Sequence, residues 1–136
     1  SIAAFKDQVA LAWFTGANDT SKVKLSFSND SGTSFYKTLR IDEGQPLGRV
    51  DIDILDDKSV LVSWLERDLE DRSKASLIIK EFSSKGELIK KYDVASMSSS
   101  RRSGFPQISK MGNSLIVAWS NLEDKEPQIL TSVLAR

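Results

Sequence analysis

Three segments of the chain repeat in one register: Val9-Ala10-Leu11-Ala12-Trp13, Val60-Leu61-Val62-Ser63-Trp64 and Leu115-Ile116-Val117-Ala118-Trp119. Their tryptophans stand 51 and 55 residues apart. Each follows a small residue (Ala12, Ser63, Ala118), which predicts close approach by a neighbouring sheet. A second marker keeps the same period. Gly48-Arg49-Val50-Asp51-Ile52 begins 16 residues before Trp64, and Gly104-Phe105-Pro106-Gln107-Ile108 begins 15 before Trp119. Self-similarity at a fixed spacing marks a repeated supersecondary unit, and about 50 residues leave room for four short strands.

The local pattern agrees. Apolar residues alternate with polar ones at period two, and no segment sustains helical periodicity, so the chain is all-β. The first unit is expected to use strands near Ile2–Phe5, Val9–Phe14, Val23–Phe27 and Tyr36–Ile41. The second is expected at Val50–Leu55, Val60–Leu65, Leu77–Phe82 and Leu88–Val94, and the third at Phe105–Lys110, Leu115–Trp119 and Ile129–Leu134. Asp56-Asp57, Lys85-Gly86 and Gly112-Asn113 supply turns between them. Four-stranded antiparallel sheets in succession are the blades of a β-propeller. The expected organisation is one propeller segment, with blade one over residues 1–44, blade two over 45–97 and an incomplete blade three over 98–136. A closed propeller needs at least about four blades. The chain is therefore expected to be part of a longer propeller or to be completed by a second copy. The competing architecture is a single β-sandwich of roughly ten strands, in which the repeat would be accidental.

The turn after the third strand reads Ser28-Asn29-Asp30-Ser31-Gly32-Thr33-Ser34-Phe35. Asp30 is placed to accept bonds from turn amides, Gly32 tolerates a positive φ, and Phe35 is expected to anchor the hairpin in the core. This stretch resembles the S-x-D-x-G-x-x-[FW] Asp box (BNR repeat) of sialidase-like β-propellers. In that family the box is a folding device away from the active site. The resemblance thus implies a sialidase-like fold, with Ser28, Asp30, Gly32 and Phe35 as structural residues. Lys85-Gly86 looks like a second box that has lost its acid, with Ser84 in place of Asp30.

Composition excludes several classes of function. Nineteen basic and nineteen acidic residues give zero formal charge, so neither nucleic acid nor an anionic membrane surface is an expected partner. No cysteine and no histidine are present. Disulfides, thiolate nucleophiles, Ser-His-Asp machinery and imidazole metal sites are thereby removed, and no metal or other cofactor is expected. Chemistry within the chain would have to use carboxylates, Tyr, Lys, Arg or Ser.

The candidate ligand-binding residues lie on the innermost strands and the loops beside them. Period two sets Arg49, Asp51 and Asp53 on one face of their strand, opposite Val50, Ile52 and Ile54. Gln107 takes the place of Asp51 in the next repeat, and Arg101 and Arg102 lie just before it. Glu66, just past the second strand of blade two, is a candidate rim carboxylate. Arginines beside a carboxylate at a channel mouth suit an anionic sugar, because guanidinium grips carboxylate in a two-pronged fashion. The plainer reading is that inner strands are polar because the channel is wet. The charged loops Glu66–Lys74 and Ser120–Gln128 read first as solvated surface. The three tryptophans read as core.

The resemblance implies glycan recognition, or exo-sialidase-like glycoside hydrolysis by an assembled propeller, in an extracytoplasmic (secreted or periplasmic) setting. Sialidases use an arginine triad and a tyrosine nucleophile assisted by glutamate, the tyrosine exception among glycosidases. The tyrosines here are Tyr36, beside the box, and Tyr92, in an expected outer strand, so no residue of this chain is assigned as catalytic. The alternative function is a non-catalytic propeller scaffold for protein–protein interaction.

Overall fold

Period-two alternation produces eleven strands in three separate antiparallel sheets among the described residues, which are 1–122 and 126–136 of the computed structural model. The first sheet holds β1 (Ile2–Phe5), β2 (Gln8–Thr15), β3 (Lys22–Ser28) and β4 (Tyr36–Arg40) in that order. The second holds β5 (Pro46–Ile54), β6 (Val60–Arg67), β7 (Lys74–Phe82) and β8 (Leu88–Ser98). The third holds β9 (Gln107–Met111), β10 (Ser114–Asn121) and β11 (Gln128–Ala135), again in chain order. All eleven expected strands form. β5 begins four residues before the expected Val50, and β8 runs four past the expected Val94.

The sheets stack face to face in chain order as propeller blades, and the single sandwich is excluded. One core lies between the first and second sheets, where Ala10, Ala12, Leu25 and Phe27 meet Ile52, Val62 and Trp64. The other lies between the second and third, where Leu61, Leu65 and Leu77 meet Ile108, Leu115 and Val117. The middle sheet is covered on both faces, which is why Val60 to Glu66 are all buried and why that stretch is almost continuously apolar.

Each sheet has a near face, toward the preceding sheet, and a far face. The repeated register puts all three tryptophans on near faces. Trp64 is fully buried under the first sheet, and Trp119 is half-buried against the second. Trp13 has no sheet over it and is half-exposed. The expectation that all three are core therefore holds in full for Trp64 alone.

Polar side chains also tie the sheets together. Asp51 and Asp53 on β5 accept the Ile108 and Lys110 amides of β9, each at 2.9 Å. Arg136 pairs with the buried Glu81 at 2.7 Å and also with Asp57. Between the first two sheets, Lys58 bonds Asp7 at 3.0 Å, and Lys91 bonds Glu43 at 2.9 Å.

The 28–35 turn closes largely as its sequence predicts. The Ser28 hydroxyl donates to Asp30 Oδ1 at 2.6 Å and accepts from the Gly32 amide at 2.9 Å. Asp30 accepts from the Ser34 amide at 2.9 Å, and Gly32 takes φ of +83°. Phe35 departs from expectation. It is 41% exposed, and the neighbouring Tyr36 stacks on the core ring of Phe27 with centroids 6.2 Å apart. The β3–β4 register shifts between Leu25 and Phe27, and Tyr36 is the residue brought opposite Phe27.

Candidate functional site: an arginine-lined cavity beside the β5 bulge

The site is created by a break in the β5 pairing. Gly48 pairs with Leu65 and Asp51 with Ser63, so Arg49 and Val50 together oppose Trp64 alone. Such a bulge leaves the extra residue free to re-aim its side chain. Gly48 and Arg49 both adopt positive φ, +80° and +59°. A Cβ on Gly48 would sit 3.0 Å from the Phe14 ring, so glycine is needed there for close approach as well as for backbone angle.

Arg49 consequently leaves the row it was expected to share with Asp51 and Asp53. Its guanidinium donates to Ser103 Oγ at 2.7 Å and to the Ser100 carbonyl at 2.6 Å, in the short 3₁₀ turn Arg101–Ser103 that precedes β9. That turn swings the Arg101 side chain to the same place and Arg102 to another. Arg49 and Arg101 line an open cavity of about 490 Å³ with Trp13, Phe14, Val50 and Phe105. Arg102 instead lines a separate cavity with Ser73, Lys74 and Leu122. The expected Arg101–Arg102 pair is therefore replaced by Arg49–Arg101.

Two guanidinium groups lie close together at this cavity. Among the described residues, neither Arg49 nor Arg101 has a carboxylate partner. Partial burial pushes the Arg49 guanidinium below its ordinary value, and the like charge of Arg101 pushes it further. Phe105 (69% exposed) and Phe14 (43%) offer ring surface beside the two cations.

The remaining candidates have other occupations. Asp51 lies outside the cavity and spends Oδ2 on the Ile108 amide. Glu66 is not an open rim carboxylate. It is buried, accepts from Trp64 Nε1 at 2.6 Å, and accepts the Gln45 and Glu43 amides at 2.5 and 3.2 Å. It thus fastens the β4–β5 connection over Trp64. Gln107 is exposed on the far face of the third sheet, its amide 3.1 Å from the Pro106 carbonyl. The charged 66–74 loop caps itself, with Asp68 Oδ1 accepting the Glu70 and Asp71 amides. Glu123, Asp124 and Lys125 of the other charged loop lie outside the described residues.

Tyr36 bonds Asn29 and the Ser84 carbonyl, and Tyr92 donates to Glu81 in the second core, so neither reaches the cavity. Among the described residues no cluster of acidic side chains is built to hold a metal ion, and no helix is long and apolar enough to cross a membrane.

Sequence reasoning missed Trp13, Phe14 and Phe105 as cavity residues. One signal was present: Arg49 and Phe105 both directly follow the marker glycine of their repeats, and both line this cavity.

No protein-family profile matches the sequence, and no curated protein matches it. A solved structure of similar shape is a mutant beta-fructofuranosidase of glycoside hydrolase family 32 from Bombyx mori, in complex with sucrose. The two chains are 14% identical with a TM-score of 0.49. The match covers 98% of this chain and 32% of that one, so the chain spans about a third of the length of the enzyme.

Proposed function

We propose that this chain supplies a carbohydrate-binding wall of a glycosidase-like propeller, and that the cavity between Arg49 and Arg101 takes the carboxylate of an acidic sugar. The observation that carries the reading is the convergence of two guanidinium groups, neither paired to a carboxylate among the described residues, on one partly apolar cavity. Arginine binds carboxylate through two parallel N–H bonds, and a few such groups on an aromatic wall are the usual composition of a small-ligand site. Phe105 and Trp13 offer flat surfaces for a sugar ring. The chain binds and orients; with both tyrosines elsewhere, sialidase-type hydrolysis would need residues beyond these.

Saturation-transfer NMR and calorimetry with N-acetylneuraminic acid and glucuronic acid, against glucose and sucrose, test this. The acidic sugars are expected to bind and the neutral ones not. Arg49→Met and Arg101→Ala should each weaken binding by about tenfold, the worth of one charge-assisted contact, while Arg102→Ala leaves it unchanged. Absence of acidic-sugar binding, or binding indifferent to both substitutions, sinks the proposal.

A further inference from the structure

The connection that brings Arg101 to the first cavity sends the next residue to a second one. Ser98-Ser99-Ser100-Arg101-Arg102-Ser103 leaves the end of β8 and forms the 3₁₀ turn before β9. Arg102 lines an open cavity of about 420 Å³ with Ser73, Lys74, Ser98, Ser100 and Leu122. Lys74 is placed there by the sheet itself, since it pairs with Ser98 at the end of the β7–β8 ladder. Arg102 is exposed, and among the described residues its guanidinium has no hydrogen bond and no carboxylate partner.

The donors here outnumber what a carboxylate could use. The Ser98 hydroxyl accepts the Ser100 amide at 3.2 Å, and the Ser100 hydroxyl accepts the Arg102 amide at 3.3 Å. Among the described residues neither hydroxyl donates its own proton, so both remain donors beside the two cations. A carboxylate offers two oxygens, whereas a sulfate or phosphate ester offers three. Charge separates those two groups. Lys74 lies 3.5 Å from Asp71, both side chains are about half exposed, and such a pair holds its members loosely. Two cations less the one carboxylate leave a single net positive charge. That matches the single negative charge of a sulfate ester, while a phosphate monoester carries up to about two at pH 7.

Ser100 joins the two cavities, because its carbonyl holds Arg49 at 2.6 Å and its side chain lies in the second. We propose that the cavity between Lys74 and Arg102 takes a sulfate ester on a sugar neighbouring the acidic one. The ligand is then a sulfated oligosaccharide containing a uronic acid, lying across the exposed Ser100–Arg102 ridge. Its first ring rests on the acidic-sugar reading, and the second anchor adds a different chemistry. Arg49 and Arg101 grip a planar carboxylate, whereas Lys74, Arg102 and the two hydroxyls surround a tetrahedral group.

Ligand-observed NMR and calorimetry on the 136-residue chain test each anchor separately. Glucose 6-sulfate should bind through the second cavity alone, and glucose 6-phosphate more weakly. Arg102→Ala should abolish the glucose 6-sulfate signal, while Arg101→Ala leaves it intact. A chondroitin tetrasaccharide of glucuronic acid and N-acetylgalactosamine, carrying 6-sulfate, should bind about tenfold more tightly than its unsulfated form, the worth of one charge-assisted contact. Arg102→Ala and Lys74→Ala should each erase most of that gain and leave the unsulfated affinity unchanged. Arg72→Ala removes an equal charge from a residue that lines neither cavity, and should keep the gain. Unsulfated ligand that binds with no gain from sulfate overturns the second anchor and leaves the acidic-sugar reading standing. Glucose 6-sulfate bound through Arg102, with no binding of unsulfated chondroitin, supports the sulfate site and sinks the carboxylate one. A stronger response to glucose 6-phosphate, or an equal loss in Arg72→Ala, overturns the assignment to sulfate.

Discussion

The carboxylate of Asp51 accepts the backbone amide of Ile108 at 2.9 Å, across two sheets that share no strand pairing. Asp53 repeats the contact one step along, at Lys110. Inner strands of neighbouring blades lie side by side yet cannot form a ladder, so their facing amides need acceptors from elsewhere. Acidic residues at alternate positions of β5 supply them. The polar row that reads in sequence as a binding surface is, at Asp51 and Asp53, a set of inter-sheet fasteners.

This predicts a stability phenotype for Asp51. Asp51→Ala leaves the Ile108 amide without its acceptor and should cost about 2 kcal/mol, in the range of a hydrogen bond to a charged group. Asp51→Asn keeps a carbonyl oxygen in reach and should cost less than half of that. Urea midpoints of the two variants read the difference, and acidic-sugar binding by either folded variant should match the parent. Equal losses would mean that charge rather than hydrogen bonding carries the contact.

A second prediction concerns acid. Partial burial opposes the charge of Asp57, but the Arg136 guanidinium and the Ser59 amide and hydroxyl outweigh it and hold the carboxyl down at about 2. Asp30 is also lowered to about 2, first by the Ser28 hydroxyl and then by Ser34. A carboxyl lowered on folding contributes stability that is complete above its ordinary value of 3.8 and lost as pH falls through the folded value. The stability gap between the parent and Asp57→Asn should therefore be full at pH 5 and should close between about pH 4 and pH 2. Denaturant titrations at stepped pH check it. A gap that persisted unchanged at pH 2 would show that Asp57 acts by packing, not charge.

Legibility in the sequence followed the range of the interactions. The eleven strands could be read because alternation is local and the tryptophan register repeats it. The partners of Glu66 could not, because two of its three donors belong to residues 43 and 45, whose loop path no periodicity encodes. Arg49 followed the alternation rule until the bulge, and only its φ of +59° takes it out of the Asp51 row. Arg101 and Arg102 are adjacent in sequence, and a single 3₁₀ turn sends them to different cavities. Phe35 and Tyr36 exchanged roles through a shift in the β3–β4 register, which the turn pattern does not fix.

The last prediction isolates the close approach that shapes the cavity. Gly48→Ala would hold an L residue at φ +80° and place its Cβ 3.0 Å from the Phe14 ring. Gly112→Ala meets a similar backbone demand at φ +58°, but nothing lies within 4 Å of the added carbon. The Gly112 variant should therefore lose only the left-handed strain of about 1 kcal/mol. The Gly48 variant should lose that and about 1–2 kcal/mol more, the usual cost of forcing an extra methyl into a packed site. Displacing Phe14 also moves one wall of the cavity, so acidic-sugar affinity should fall in the Gly48 variant and stay unchanged in the Gly112 variant. Paired urea melts and calorimetry decide it: equal stability losses would mean that Phe14 yields freely, and the bulge would then be held by backbone geometry alone.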